Sequence, residues 1–510
     1  MCASRKSDLP ALHMQLPRQL PRRRFLRLAA GTGALALTWK AARAEEATLA
    51  LRSSPLAARL AAYADGLAYD DLDAATVESV KTHIIDALGC GLAAFDERPV
   101  RICRDVVLAN GSGGGATVIG TTRRVTPDLA AFANCAAIRY LDLNDAYVGR
   151  ITGHPSDDIA ACLAAAEFAR ASSAELITAI ALAYEVNCRL IDAFDANFAG
   201  RGWDVPTLSL PAVALAAGKL MKLSPDRLEQ AVNLALNDHI SLGQTRAQSL
   251  SDWKGVADAE AGRNAVFAAL LAREGLTGPA PIFEGRWGFF ALVGGSADVE
   301  VGAFGRRGVP FRIHLCGLKS YPAHITAQTA IPAAAALAKE LGNLDRLVAL
   351  EIGTTRRGYQ IAGSDPEKWA PQSKETADHS LPYIAARAMF DGTIDNGSYA
   401  PEKLHDPRIL AFMRKITVKE DPAFATLTGD VPPTRLTATL DDGRHIERLV
   451  DSMPGFAGRP MSRADVERKF RSNIGNRWAA EQTDAVLQAL WALDQASDLS
   501  ALLGKLATQS

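Results

Sequence analysis

From Ser54 to about Gly275 apolar residues recur at steps of three and four, and this sustained helical period constrains the fold more than any other feature. Val77, Val80, Ile84, Ile85 and Leu88 fall on one helical stripe. The same character returns over Asp157–Arg170, Ala174–Phe194, Pro211–Leu223 and Pro225–Asn237. Ser224 ahead of Pro225 supplies a cap followed by proline at the first helical position. Alanine is abundant and aromatic residues make up only 6%, which favours closely packed helices over a β-sandwich. The helices recur without the fixed period a solenoid needs. A chain of 510 residues is long enough for two to four compact units.

After about Gly317 the character changes. Val348–Thr354 and Lys415–Val418 read as strands, and Thr437–Leu440 and Ile446–Val450 flank Asp442-Gly443, a hairpin turn signal. Helical patterns over Ile325–Leu341 and Glu375–Phe390 are interspersed among them. From Ser462 the chain is helical again, with strong periodicity over Thr483–Leu493. The expected fold is therefore mainly α. A helical domain over 45–316 is interrupted by a smaller α+β domain over 317–458, and a tail over 459–510 returns to the first domain.

The first 44 residues read as an address. Arg22-Arg23-Arg24-Phe25-Leu26-Arg27 precedes an apolar run from Leu28 to Trp39 and then Ala42-Arg43-Ala44, the layout of a cleavable export signal. The Arg-Arg-x-Phe-Leu-Arg order resembles a twin-arginine signal, so a periplasmic location is expected, or a cytoplasmic one if the signal is not used. The signal survives whether translation starts at Met1 or Met14. The apolar run falls short of the roughly 20 residues of a spanning helix, so no stable membrane anchor is expected. Residues 1–44 carry nine of the 56 Lys/Arg and one of the 57 Asp/Glu, which leaves 47 against 56 and a net charge of −9 beyond them. That balance argues against nucleic acid as a partner. Of seven cysteines, most sit in Ala/Leu-rich helical stretches, and buried free thiols are expected.

Polar residues concentrate in a few places. Gly111-Ser112-Gly113-Gly114-Gly115 lacks a following Lys-Ser/Thr pair and a preceding strand, so it reads as a flexible turn and not a phosphate cradle. Asp142-Leu143-Asn144-Asp145-Ala146-Tyr147 and Gly153-His154-Pro155-Ser156-Asp157-Asp158 form a dense polar loop between two apolar helices, a favoured place for catalysis. Ser156 and Asp157 also fit as the cap of the helix that follows. Trp253-Lys254-Gly255 and Lys319-Ser320-Tyr321-Pro322-Ala323-His324 place lysines beside aromatic and Pro/Gly turns at helix starts. Together His, Lys, Asp and Tyr can bind a polycarboxylate and move protons. No metal-ligand array and no nucleophile elbow is present, so no metal and no cofactor is expected.

These segments carry a resemblance to the MmgE/PrpD family. It runs over nearly all of residues 55–505, through Ile84–Gly89, Asp142–Asp158, Ala214–Leu220, Trp253–Gly255, Lys319–His324 and Glu375–Tyr383 in that order. The resemblance implies an all-helical, discontinuous domain closed by an α+β lid, a homodimer, and metal-free chemistry beside a carboxylate: loss of water, decarboxylation or proton exchange. Family site positions match at Asp142, His154, Lys254 and Lys319, and a lid tyrosine is nearest to Tyr359. Two positions depart: Ala146 stands where many members have Thr, and Asp204 stands where many have a histidine-containing motif. An unpaired acid at 204 would repel a substrate carboxylate.

The reaction expected is elimination of water from a small di- or tricarboxylic hydroxy acid. Lys254 and Lys319, helped by Arg246, would neutralise carboxylates. His154 would move the proton, its ordinary pKa of about 6.5 suiting both directions. Asp142 would hold His154 in its working tautomer and stabilise its charged form, or take the proton itself. Asp145, Asp204, Tyr321 and His324 are further substrate-binding candidates. Decarboxylation or epimerisation on the same scaffold is the close alternative, and a non-catalytic periplasmic carboxylate binder the distant one.

Overall fold

The computed structural model describes residues 54–111, 113–194, 198–293, 298–425 and 430–508. The expected export segment lies outside them. Helix α1 spans Leu56–Gly66, α2 Ala74–Ala93, α3 Arg98–Asn110, α4 Pro127–Tyr140, α5 Asp157–Ala169, α6 Ser173–Ala193, α7 Pro206–Leu220, α8 Pro225–Asp238 and α9 Ala257–Arg273. Asp73 caps α2 through the Thr76 amide, and Ser172 with Glu175 forms a capping box on α6. Helix α9 packs on α4, α7 and α8, and α5 packs on α4 and α7. Their contact faces are largely alanine: Ala160, Ala161, Ala164 and Ala165 of α5, Ala214, Ala216 and Ala217 of α7, and Ala261, Ala265 and Ala269 of α9 are buried. Small side chains let helix axes approach closely, which is the structural use of the alanine-rich composition. Helix α7 starts five residues before the expected Pro211. Pro206 takes the first turn, where a missing N–H costs nothing, and Pro211 lies inside the helix.

The second half is built around a four-stranded sheet. It comprises α10 (Ala330–Leu341), β6 (Leu347–Thr354), α11 (Arg356–Ala362), α12 (Leu381–Asp391), β7 (Ile416–Glu420), β8 (Thr434–Leu440) and β9 (His445–Val450), with short helical turns left unlabelled. Earlier strands are β1 (Ala116–Thr117), β2 (Arg124–Val125), β3 (Asp145–Val148), β4 (Thr152–Gly153) and β5 (Cys316–Leu318). The sheet order is β7-β6-β8-β9, with β6 and β7 parallel and the other pairs antiparallel. Gly443, at φ 79°, makes the β8–β9 turn. Helix α10 packs on α12, β8 and β9.

The apolar core has two main parts. One gathers residues from Leu56 to Leu318 together with Val466 to Leu506; the other runs from Ala323 to Leu440. The late segment of the first part comes from α13 (Arg463–Ile474), α14 (Ala480–Trp491) and α15 (Leu499–Gly504), of which α13 packs on α2.

Two expectations change in ways that shape the site. The polar loop 142–158 contains a hairpin, β3–β4, and β5 adds to it antiparallel in the order β4-β3-β5. The helix expected over 375–390 is broken: one turn, Lys374–Ala377, ends before Asp378, and α12 starts afresh at Leu381 with Ser380 as its cap and Pro382 in its first turn. Proline without an N–H starts a helix more readily than it continues one, so Asp378 and His379 are turned out of helical register.

Candidate active site

Helix α4 ends at Tyr140, and Asp142 follows in a left-handed conformation, φ 54°, which is uncommon for a residue with a β-carbon. Conformations of that kind persist where their surroundings over-determine them. Here the Arg139 guanidinium donates to Asp142 Oδ1, Lys319 Nζ lies 2.7 Å from the same oxygen and 3.0 Å from the Asp142 carbonyl, and Lys254 Nζ lies 3.4 Å from Oδ2. Lys319 arrives on the end of β5, whose Leu318 pairs with Asp145 of β3. Gly455, at φ 102°, lies against that strand: a β-carbon there would sit 2.1 Å from the Leu318 carbonyl oxygen.

The second half contributes a second carboxylate. Asp378 receives Lys374 Nζ at 2.7 Å and His379 Nδ1 at 2.6 Å, with Lys254 Nζ at 3.4 Å. Lys374 also donates to the Tyr140 carbonyl at 2.9 Å, so the Lys374–Ala377 turn is fastened to the end of α4. Asp142, Lys254, Lys319 and Asp378 are wholly buried. Donor atoms of Asp142, Asp378 and His379 lie within 4.8 Å of one another, a spacing that favours a cation, and the Lys254 ammonium is the cation between the two carboxylates. The His324 ring lies 4.5 Å from that of His379, and its backbone N–H donates to the Asp378 carbonyl.

Burial and charge set the protonation states. Burial pulls Lys254 down to about 8 against the opposing pull of Asp142 and Asp378. Lys319 is lowered by burial too. Burial pushes the Asp142 and Asp378 carboxyls up, but Lys254 and the other cations win and hold both below the ordinary range. His154 is held well below its ordinary value by burial and by Arg139 and Lys319. Its Nδ1 lies 2.7 Å from the Asp145 carbonyl oxygen. A carbonyl only accepts, so Nδ1 carries the proton and Nε2 keeps a lone pair. The imidazole is therefore held neutral near pH 7, and the Asp145 carbonyl orients it in place of the Asp142 carboxylate.

The other expected site residues divide. Asp204 is paired with Arg246 at 3.0 Å, and Arg246 also holds Asp258 at 3.1 Å and the Lys254 carbonyl at 3.1 Å. The acid at 204 is thus neutralised, and Arg246 positions Lys254 with its guanidinium already engaged. The Asp145 carboxylate is wholly buried and accepts from the Ser156 amide and hydroxyl and from Tyr184 OH at 2.8 Å, which makes it an anchor and not a substrate contact. Ser156, expected to cap α5, gives its hydroxyl to Asp145 and makes no cap bond. Ala146 lies in an apolar cluster with Ile325, Val431, Met453 and Phe456. Tyr321 faces a cavity of about 760 Å³ lined also by Arg468 and Lys469, with none of Asp142, Lys254 or Asp378 on its wall. Tyr359 packs half-buried against the second core, and no hydrogen bond joins it to the cluster. Sequence reasoning gave no role to Arg139, Lys374, Asp378 or His379. The Ser380-Leu381-Pro382 start signal, inside an apparent helix, was the available sign that the chain turns there.

A helical domain and an α+β domain that together bury lysines, carboxylates and imidazoles around one point define an acid–base enzyme of small anionic molecules. The MmgE/PrpD N-terminal domain matches residues 58–302 and the MmgE/PrpD C-terminal domain residues 321–493, and the chain belongs to the MmgE/PrpD family. It is 31% identical to 2-methylcitrate dehydratase of Cupriavidus necator, over 84% of this chain and 90% of that protein. It is 27% identical to the mitochondrial 2-methylcitrate dehydratase of Yarrowia lipolytica, over 81% and 83%. The cis-aconitate decarboxylase of Mus musculus is 24% identical over 86% of this chain and 90% of its own length.

Proposed function

We propose that this protein is a hydro-lyase that removes water from a small hydroxy tricarboxylate of the 2-methylcitrate kind. The observation that carries the proposal is Lys254: a buried ammonium held between Asp142 and Asp378 and lowered to about 8, which makes it a ready proton donor near neutral pH. His154 Nε2 takes the proton from the carbon beside a substrate carboxylate. The C–H electron pair becomes the new C=C bond, the C–O bond breaks, and Lys254 protonates the departing hydroxyl to water. Lys319 and Arg139 keep Asp142 ionised, which favours the ammonium form of Lys254 between turnovers. The two 2-methylcitrate dehydratases, similar over most of their length, support the substrate class.

The proposal extends to the setting. The Arg22–Arg27 segment supports export by a twin-arginine route, and the family resemblance supports a homodimer. No helix among the described residues is long and apolar enough to cross a membrane.

An NMR time course in D₂O with 2-methylcitrate, citrate and cis-aconitate tests the reaction. Loss of water from a hydroxy acid, slowed roughly 10²–10⁴-fold by His154→Ala, is the expected result. Loss of CO₂ would assign a decarboxylase, and deuterium uptake without elimination an epimerase. Saturable binding with no turnover of any compound would overturn the enzyme reading in favour of a binder.

A further inference from the structure

Cys188 of α6 and Cys316 of β5 lie side by side, with their sulfurs 3.7 Å apart and in hydrogen-bonding contact. All six described cysteines are buried and free, and among them no other two sulfurs make such a contact. Cys188 is wholly buried, whereas Cys316 is 7% exposed and makes a second contact, to the Arg312 carbonyl oxygen at 3.8 Å. A disulfide needs about 2.05 Å between sulfurs, so closing this gap takes a movement of about 1.7 Å, within reach of small side-chain rotations.

The position gives the pair a consequence. Cys316 is in register with Tyr147 of β3, and Leu318, two residues on, with Asp145. Lys319 follows at the strand end and contacts Asp142. A bond from Cys316 to Cys188 would fasten the strand that delivers Lys319 to the middle of the helical domain.

We propose that Cys188 and Cys316 are a peroxide-oxidisable dithiol, and that their disulfide locks the Lys319-bearing strand onto α6. The oxidant is a small peroxide. The Cys316 thiolate attacks peroxide oxygen; the O–O bond breaks, hydroxide leaves, and a sulfenic acid forms. The Cys188 sulfur then attacks the Cys316 sulfur, the S–S bond forms as the S–O bond breaks, and the hydroxyl departs as water with the Cys188 proton. Two electrons have passed from the thiols to the peroxide. Burial pushes both thiols above their ordinary value, so the reaction runs faster at pH 9 than at pH 7.

The test treats the full chain with hydrogen peroxide, then denatures it and alkylates remaining thiols. The disulfide lowers the intact mass by 2 Da before alkylation, the seven cysteines should fall to five alkylated, and one cross-linked peptide should join residues 188 and 316. The oxidised form should melt higher by roughly 3–6 °C, a gain absent in Cys188→Ala and Cys316→Ala. Seven alkylated thiols after treatment, a cross-link between other cysteines, or sulfinic acid on Cys316 with Cys188 still alkylated would each overturn the proposal. Peptide mapping of the unmutated chain decides among them, whether or not the variants fold.

Discussion

Asp142 and Asp145 stand three residues apart, are equally buried, and do unlike work. Asp142 is ringed by cations: Arg139, Lys254 and Lys319. Asp145 is held mainly by neutral donors, the Ser156 amide and hydroxyl and Tyr184, with the His83 ring 3.7 Å away. Cations around a buried carboxylate create a charge network whose members answer to one another's protonation. Neutral donors satisfy the same carboxylate and leave it as a fixed anchor. The first arrangement can respond to a proton; the second holds the β3–α5 connection and, through the Asp145 carbonyl, the His154 ring.

Substitutions break this comparison in order of effect. Lys254→Met removes the proton donor shared by Asp142 and Asp378, and turnover should fall roughly 10²–10⁴-fold in a steady-state assay. Asp142→Asn strands buried cations, and denaturant unfolding should show a loss of about 3–5 kcal/mol beside a large loss of turnover. If Asp145→Asn lowered turnover as far as Asp142→Asn with no loss of stability, the division between site and anchor would be wrong.

The pH profile sharpens the same point. Activity should hold between an acid limb well below pH 6.5, where His154 protonates, and an alkaline limb near 8, where Lys254 loses its proton. Asp378→Asn removes an anion that favours the ammonium, so the alkaline limb should move to lower pH by roughly one unit. Stability has its own dependence. His379 is held at about 3 in the folded protein, first by burial and then by Lys254, while the unfolded chain takes up its proton near 6.5. Between those values the unfolded state binds more protons, so this histidine lowers stability as pH falls from 6.5 towards 3. His379→Gln should flatten that part of a melting-temperature series. The smallest effect is expected for Tyr184→Phe, a loss of about 1.5–3 kcal/mol from one hydrogen bond to Asp145, with turnover changed by less than about threefold.

Much of this was legible in the chain. The three-four period marked α2, α5, α6 and α8, and the Asp442-Gly443 turn marked the β8–β9 hairpin, because period and turn chemistry act over a few residues. Lysines 254 and 319 could be singled out by their Pro/Gly and aromatic surroundings. Their partners could not. Asp378 meets Lys254 across 124 residues, and Lys319 meets Asp142 across 177. The segment 142–158 read as a loop because β4 is only two residues long and depends on β3, which β5 flanks from far along the chain.

The sequence by itself determined the helical framework, the strands of the second half and the residue types able to bind an anion and move a proton. Those follow from local periodicity and side-chain chemistry. Only the tertiary structure decided that Lys254 lies between two carboxylates, that Arg246 neutralises Asp204, that the His154 ring is neutral and turned by the Asp145 carbonyl, and that the Asp145 carboxylate is held by neutral donors. The reason is physical: protonation is set by the charges and the water within a few ångströms, and those neighbours come from other segments, 9 to 42 residues away for His154, Asp145 and Asp204 and more than a hundred for Lys254 and Lys319.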